Sequence, residues 1–189
     1  METFWTSASD LDQQVFLTLN GIHTPVTDFL FAWITNKYTW IPLYLLLIFV
    51  VCKEYGKRGG WMILLSLLAL ILADHLTSGV MKPYFERFRP CHDPTIGAMV
   101  HNVVGCGGTY GFASSHASTS FALTTGLYLF TRARLPQMKW LFVWAMVYSY
   151  SRVAVGVHYP GDILVGALIG AITALIIVQF YLYFNKSLV

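Results

Sequence analysis

Five long apolar runs dominate this chain, and no water-soluble fold has room for them. They cover residues 39–52, 61–81, 115–130, 138–155 and 161–184, and a further apolar stretch at 29–35 extends the first at its start. A bilayer core of ~30 Å takes about 20 helical residues to cross, which is the scale of these runs. In a chain of 189 residues that is 56% hydrophobic and 11% charged, little sequence remains for a separate soluble domain. No low-complexity tract or internal repeat interrupts it. The expected architecture is all-α: one domain, residues 1–189, built as a polytopic membrane helix bundle of about five to six transmembrane helices. Residues 11–19 place apolar side chains at helical spacing between polar ones, which reads as an N-terminal interfacial helix. Residues 1–12 are acidic and lack the basic start of a cleavable signal peptide. Gly166 and Gly170 form a small-xxx-small face for helix packing within the bundle.

Loop charges orient the bundle. Lys53, Lys57 and Arg58 follow the first run, Arg132, Arg134 and Lys139 follow the third, and Lys186 follows the last. These fall on one side of a five-helix zigzag, which the positive-inside rule makes cytoplasmic. Cys91 and Cys106 then bracket a loop on the outer side, where a disulfide is permitted. Closing a loop of that size stabilises a fold by about 3 kcal/mol on the chain-entropy account. Two free thiols, or a zinc site of Cys91, His92, His101 and Cys106, are the other readings, although that spacing fits no standard zinc pattern.

The remaining polar residues cluster in three stretches, each at the end of an apolar run: Lys82 to Arg89-Pro90, Ser114-Ser115-His116, and Ser151-Arg152 with His158 and Asp162. Arginine's planar fork binds phosphate oxygens in pairs, and lysine adds a point charge. Snorkelling to headgroups is the simpler account of Lys82 and Arg89. Ser114 and Ser115 precede a helix, whose first N–H groups favour an anion, although ordinary serine capping suits the same position. Pro160 and Gly161 open the last helix. They place Asp162 in its first turn, within reach of one nitrogen of His158. A carboxylate on Nδ1–H leaves Nε2 free as a nucleophile.

Together the order Lys82-x6-Arg89-Pro90, Ser114-Ser115-His116 and Ser151-Arg152-x5-His158-x3-Asp162 resembles the three-part signature of the type 2 phosphatidic acid phosphatase (PAP2) superfamily. That superfamily contains membrane lipid phosphatases and the soluble vanadium haloperoxidases. The first and third parts match fully. The second departs, because the family's Pro-Ser-Gly-His reads Ala113-Ser114-Ser115-His116 here. The resemblance implies that His158 is the nucleophile of a phosphohistidine intermediate, Asp162 orients it, and His116 is the general acid. It implies that Lys82, Arg89, Arg152, Ser114 and Ser115 hold the phosphoryl oxygens, with no metal and no cofactor.

The resulting expectation is a metal-independent phosphatase in a bacterial cytoplasmic (inner) membrane, with its site on the outer face. Its partners are the bilayer and a lipid phosphate, not nucleic acid. Undecaprenyl diphosphate leads as substrate; phosphatidylglycerophosphate, phosphatidate and lipid A phosphate are the alternatives. A haloperoxidase is disfavoured by the apolar spans. A non-catalytic lipid-binding or translocating protein is the reading from a different class, should the altered second motif have disabled the site. Among other residues, Asp74 and His75 read as buried support for Lys82 or a neighbouring helix, and Arg87 as a headgroup contact or partner of Glu86. His92, Asp93 and His101 read as the rim of the site, Tyr110, Gly111 and Phe112 as the lining of its approach, and Trp40, Trp61 and Tyr159 as interfacial anchors.

Overall fold

The structure, a computed structural model, describes residues 2–185, with side chains from Ser9 onward. Lys186, counted above among the cytoplasmic charges, lies outside them. Seven helices follow one another: α1 (Glu2–Asn20), α2 (Pro25–Thr35), α3 (Ile41–Tyr55), α4 (Lys57–Phe85), α5 (Ser115–Thr131), α6 (Leu141–Ala154) and α7 (Pro160–Phe184). The stretch 29–35 is no extension of the first span. Thr24 caps α2 through the Thr27 N–H, with Pro25 in its first turn. Asn36 then ends α2 and accepts from the Tyr38 N–H, starting a separate turn, Lys37–Trp40, that leads into α3.

Among the described residues, three segments are long and apolar enough to cross a membrane: Lys37–Tyr55, Lys57–Phe85 and Pro160–Phe184. Helix α5 is shorter and lies at the centre, packed chiefly on α7 and α4. Its sequence is rich in Ser, Thr, Ala and Gly, and its hydroxyls bond back to its own carbonyls, as Thr119 does to Ser115 and Thr131 to Leu127. Polar atoms are thus satisfied while the helix stays slim. The slimness is used. A Cβ on Gly166 would run into the Ser114 carbonyl, and one on Gly170 into that of Ser118, so α7 touches the α5 backbone directly. This is packing inside the bundle, as the glycine spacing predicts.

Within α4, residues His75–Met81 widen into a π-helical stretch before Lys82. At the other end of the bundle, Arg134 pairs with Glu54 at 3.6 Å and lies over the Tyr55 ring. The two basic connections therefore share one face, opposite the long 86–114 loop. In that loop Cys91 and Cys106 are disulfide-bonded, with Cα atoms 5.9 Å apart. His101 takes no part in a cluster with them. Its Nε2 donates to Asp28 Oδ2 at 2.9 Å, and the ring stacks on His23.

Candidate active site

At the loop end of α4, α5, α6 and α7, the three sequence stretches converge. His158 and Asp162 lie in the turn into α7 and its first turn, both almost fully buried. Asp162 Oδ2 is 3.1 Å from His158 Nδ1 and accepts the Tyr159 N–H at 3.1 Å. The Arg89 guanidinium lies 3.1 Å from His158 Nε2. Guanidinium only donates, so Nε2 is the acceptor and the ring proton sits on Nδ1, facing the carboxylate. The tautomer with a lone pair rather than a proton on Nε2 is thereby set from both sides. Burial first, then the positive fields of Arg89, Arg152, Lys82 and Arg87, hold this imidazole well below its usual protonation range.

The cations gather round that nitrogen. Lys82 lies within electrostatic reach of Arg89 and Arg152, and Arg152 of Arg89. Arg152 donates one N–H to Thr35 Oγ1 at 2.7 Å. Its Nε, the Nε of Arg89 and the Ser114 hydroxyl are buried with no hydrogen-bond partner among the described residues. Ser114 occupies the capping position of α5 without making a side-chain cap, so the simpler account of this serine fails. Like charges held together with orphaned donors are suited to holding a multiply charged anion.

Ser115 completes this wall. Its hydroxyl receives Lys82 Nζ at 2.6 Å and lies 2.6 Å from Ser78 Oγ, which in turn donates to Asp74 Oδ1 at 3.1 Å. Asp74, Ser78 and Lys82 are successive steps along one face of α4, and Asp74 supports Lys82 through Ser78. His75 is exposed and packs beside Gly79 instead. His116, one residue further along α5, stacks on Tyr148 of α6 with ring centroids 5.1 Å apart. Arg152, His158 and Lys82 all act on it electrostatically.

Several expectations need correction. Arg87 does not pair with Glu86: it donates to Asp162 Oδ1 at 2.9 Å and to Asp12 Oδ2 at 2.8 Å. Glu86 takes a left-handed backbone conformation that ends α4, after which the chain turns Arg87 inward. Tyr159 is no interfacial anchor. It is buried, lies under the Arg87 guanidinium at 4.2 Å and donates to Asp93 at 2.7 Å. Asp93 is correspondingly structural rather than part of a rim. Burial works against its charge, but hydrogen bonds from Thr95 and Tyr159 win and hold it below the ordinary carboxylate range. Of the three expected rim residues only His92 is exposed. Gly111 does line the site: a Cβ there would come within 3.1 Å of Asp162 Oδ2 and 3.5 Å of His158 Nδ1. Asp12 and Thr35, which nothing in the local sequence marks, both reach site residues.

Beneath His116 and Ser115 a cavity of about 570 Å³ runs down between α3, α4, α5 and α6. Apart from Lys37, Asp74 and the hydroxyls at its upper end, its walls include Leu47, Ile48, Leu67, Leu70 and Leu127. An anion receptor thus opens onto an apolar chamber within the bundle.

This fold and site define a membrane phosphatase. The sequence model of the PAP2 superfamily matches residues 63–186, and the chain belongs to that superfamily. It is similar to the lipid A 4'-phosphatases of Porphyromonas gingivalis, 35% identical over 92% of this chain and 74% of the relative, and of Bacteroides thetaiotaomicron, 34% identical over 86% and 73%. An undecaprenyl-diphosphatase of Sulfolobus acidocaldarius is 28% identical over 86% of this chain and 70% of the relative. Among solved structures, Aquifex aeolicus LpxE superposes with a TM-score of 0.68 at 26% identity, covering 88% of this chain and 93% of its own. A transmembrane PAP2-type phosphatidylglycerolphosphate phosphatase from Bacillus subtilis shares the fold, with a TM-score of 0.66 at 22% identity, covering 92% and 86%. The chain is an integral membrane lipid phosphatase of PAP2 type.

Proposed function

We propose that this protein removes a phosphate monoester from a lipid A-type saccharolipid on the outer face of the inner membrane. The observation that carries the hydrolytic reading is the ring of Lys82, Arg89 and Arg152, with orphaned donors on Arg89, Arg152 and Ser114, around the unprotonated Nε2 of His158. Nε2 attacks phosphorus, the bond to the lipid oxygen breaks, and His116 protonates the departing alkoxide. The same His116, now a base, takes a proton from the water that cleaves the phosphohistidine. The three cations and the α5 N-terminus hold the equatorial oxygens where transition-state charge lies.

The saccharolipid is preferred over undecaprenyl diphosphate, the leading substrate on sequence grounds, because the lipid A 4'-phosphatases are the more similar relatives and match over comparable lengths. Undecaprenyl diphosphate is the second reading. In either case the apolar cavity beside His116 supports a lipid leaving group entering from within the bilayer. Helices α3 to α7 form five crossings in this reading, α6 being lengthened by the preceding turn Pro136–Trp140. The disulfide-bearing loop and the site lie outside, opposite the basic connections.

The test is phosphate release by the purified protein from a panel comprising bis-phosphorylated lipid A, undecaprenyl diphosphate, phosphatidylglycerophosphate and phosphatidate. Mass spectrometry of the lipid product identifies the position cleaved. Preference for lipid A supports the proposal. A kcat/KM at least tenfold higher on undecaprenyl diphosphate overturns the substrate assignment and leaves the chemistry standing. No release from any lipid, or full activity in His158→Ala, overturns the chemistry.

A further inference from the structure

Asp162 divides its two oxygens. Oδ2 serves His158 Nδ1 and the Tyr159 N–H, while Oδ1 receives Arg87 Nη1 at 2.9 Å. Such a contact has a cost for catalysis. When His158 Nε2 bonds to phosphorus and Nδ1 keeps its proton, the ring gains a positive charge. A carboxylate already neutralised by a guanidinium offers that charge little stabilisation.

The second arm of Arg87 answers this difficulty. Its Nη2 donates to Asp12 Oδ2 at 2.8 Å, and Asp12 Oδ1 accepts the Gly161 N–H at 2.8 Å, one residue before Asp162. The contacts close a ring: Asp12 to Arg87, Arg87 to Asp162, Asp162 through the backbone to Gly161, and Gly161 back to Asp12. Two carboxylates against one guanidinium leave the ring with a net charge of −1. That charge lies beside the imidazole which must become positive. Tyr159 under the guanidinium and the closed path through α7 also hold the plane of the Asp162 carboxylate.

We infer that Asp12 and Arg87 are positioning residues for phosphoryl transfer, Arg87 fixing Asp162 and Asp12 restoring the negative charge that Arg87 would otherwise cancel. The N-terminal helix is then part of the catalytic unit, although it touches no substrate. This rests on His158 acting as the nucleophile and Asp162 as its partner.

The decisive variant is Asp12→Asn, which keeps an oxygen for the Gly161 N–H, removes the charge and leaves an amide N–H where Arg87 Nη2 had its acceptor. Formation of the phosphohistidine would be followed in single turnovers with radiolabelled lipid phosphate, beside steady-state kcat and KM. The expected result is a drop in phosphorylation rate and kcat of about tenfold, KM unchanged, and recovery in Asp12→Glu. Arg87→Lys, which keeps the charge and loses the fork, should lower kcat in the same way. Wild-type rates in Asp12→Asn, or a loss confined to thermal stability with kcat per folded molecule intact, would overturn the inference. Absence of any phosphohistidine in the wild-type protein would instead refute the reading beneath it.

Discussion

Lys82 Nζ donates to the Ser115 hydroxyl across 2.6 Å, so the side chain that replaces the glycine of the PAP2 signature is bonded to the first cation of the site. The altered second motif has not emptied the site of polar function. It ties α4 to the start of α5 at the place where, in the proposed reaction, both would meet the phosphate.

A graded response to substitution at 115 should follow. Ser115→Gly, which restores the superfamily residue, should keep kcat/KM within about threefold of wild type, because Ser78 still holds Lys82 at 3.3 Å. Ser115→Val removes the acceptor and places a branched apolar group against the ammonium. Unlike the glycine variant, the valine also excludes the water that could replace the lost oxygen, and leaving a partly buried charge underpaired costs about 2–5 kcal/mol, so kcat/KM should fall by 30-fold or more, about 2 kcal/mol at the least. Steady-state assays on the preferred lipid decide it.

His116 should matter in proportion to how poor the leaving group is. For a sugar or glycerol alkoxide, His116→Ala should lower kcat by about 10²–10⁴-fold, the usual contribution of a general acid. For a diphosphate, whose leaving group needs less help, the loss should be markedly smaller. Equal losses on both would remove His116 from the acid role.

The pH profile carries a sign that can be checked. Burial and the surrounding cations push His158 well below its ordinary value of 6.5, so the nucleophile stays unprotonated and its acid limb should lie below that value. Replacing Arg89 by Gln removes the first-named of those positive fields. It should move the limb upward while weakening substrate binding. The same depression links to stability. The contribution of neutral His158 is complete above the unfolded value and is lost as pH falls toward the folded one, which thermal melts between pH 7 and pH 4 would register.

Activity should persist in EDTA, since Lys82, Arg89 and Arg152 supply the positive charge the phosphoryl group meets. Vanadate should inhibit by adopting the five-coordinate geometry of the transition state. Loss of turnover on chelation, restored by magnesium, would contradict this assignment.

Three spans of bilayer length and the convergence of three polar clusters were legible in the sequence because each depends on local pattern; the runs 115–130 and 138–155, expected as spans, form the shorter helices α5 and α6. The partnerships of Arg87 were not legible in this way. Glu86 is its neighbour in sequence, but the left-handed turn at Glu86 changes the direction of the chain. The residues that do bind Arg87 stand 75 positions away on either side. Tyr159 misled for a similar reason. A tyrosine at a span end ordinarily marks the headgroup level, whereas here the 86–114 loop folds over it and provides Asp93 as a partner for its hydroxyl. The break at Asn36 depends on one side chain capping the next turn, which an apolar window averages away.

The contact of Gly166 and Gly170 with the α5 backbone has a consequence for how such enzymes change substrates. It joins the strand of chemistry running through Ser114 and His116 to the one running through His158 and Asp162 as a single rigid two-helix block. Helix α3 lines the apolar chamber with Leu47 and Ile48 and holds none of the three motifs, whereas α4 adds Leu67 and Leu70 and also carries Lys82. In the reading proposed above, the lipid would meet α3 and the middle of α4, below the residues that meet the phosphate. On that reading, substitutions at Leu47, Ile48, Leu67 or Leu70 should change the lipid accepted while the α5–α7 contact keeps His116, His158 and Asp162 in register.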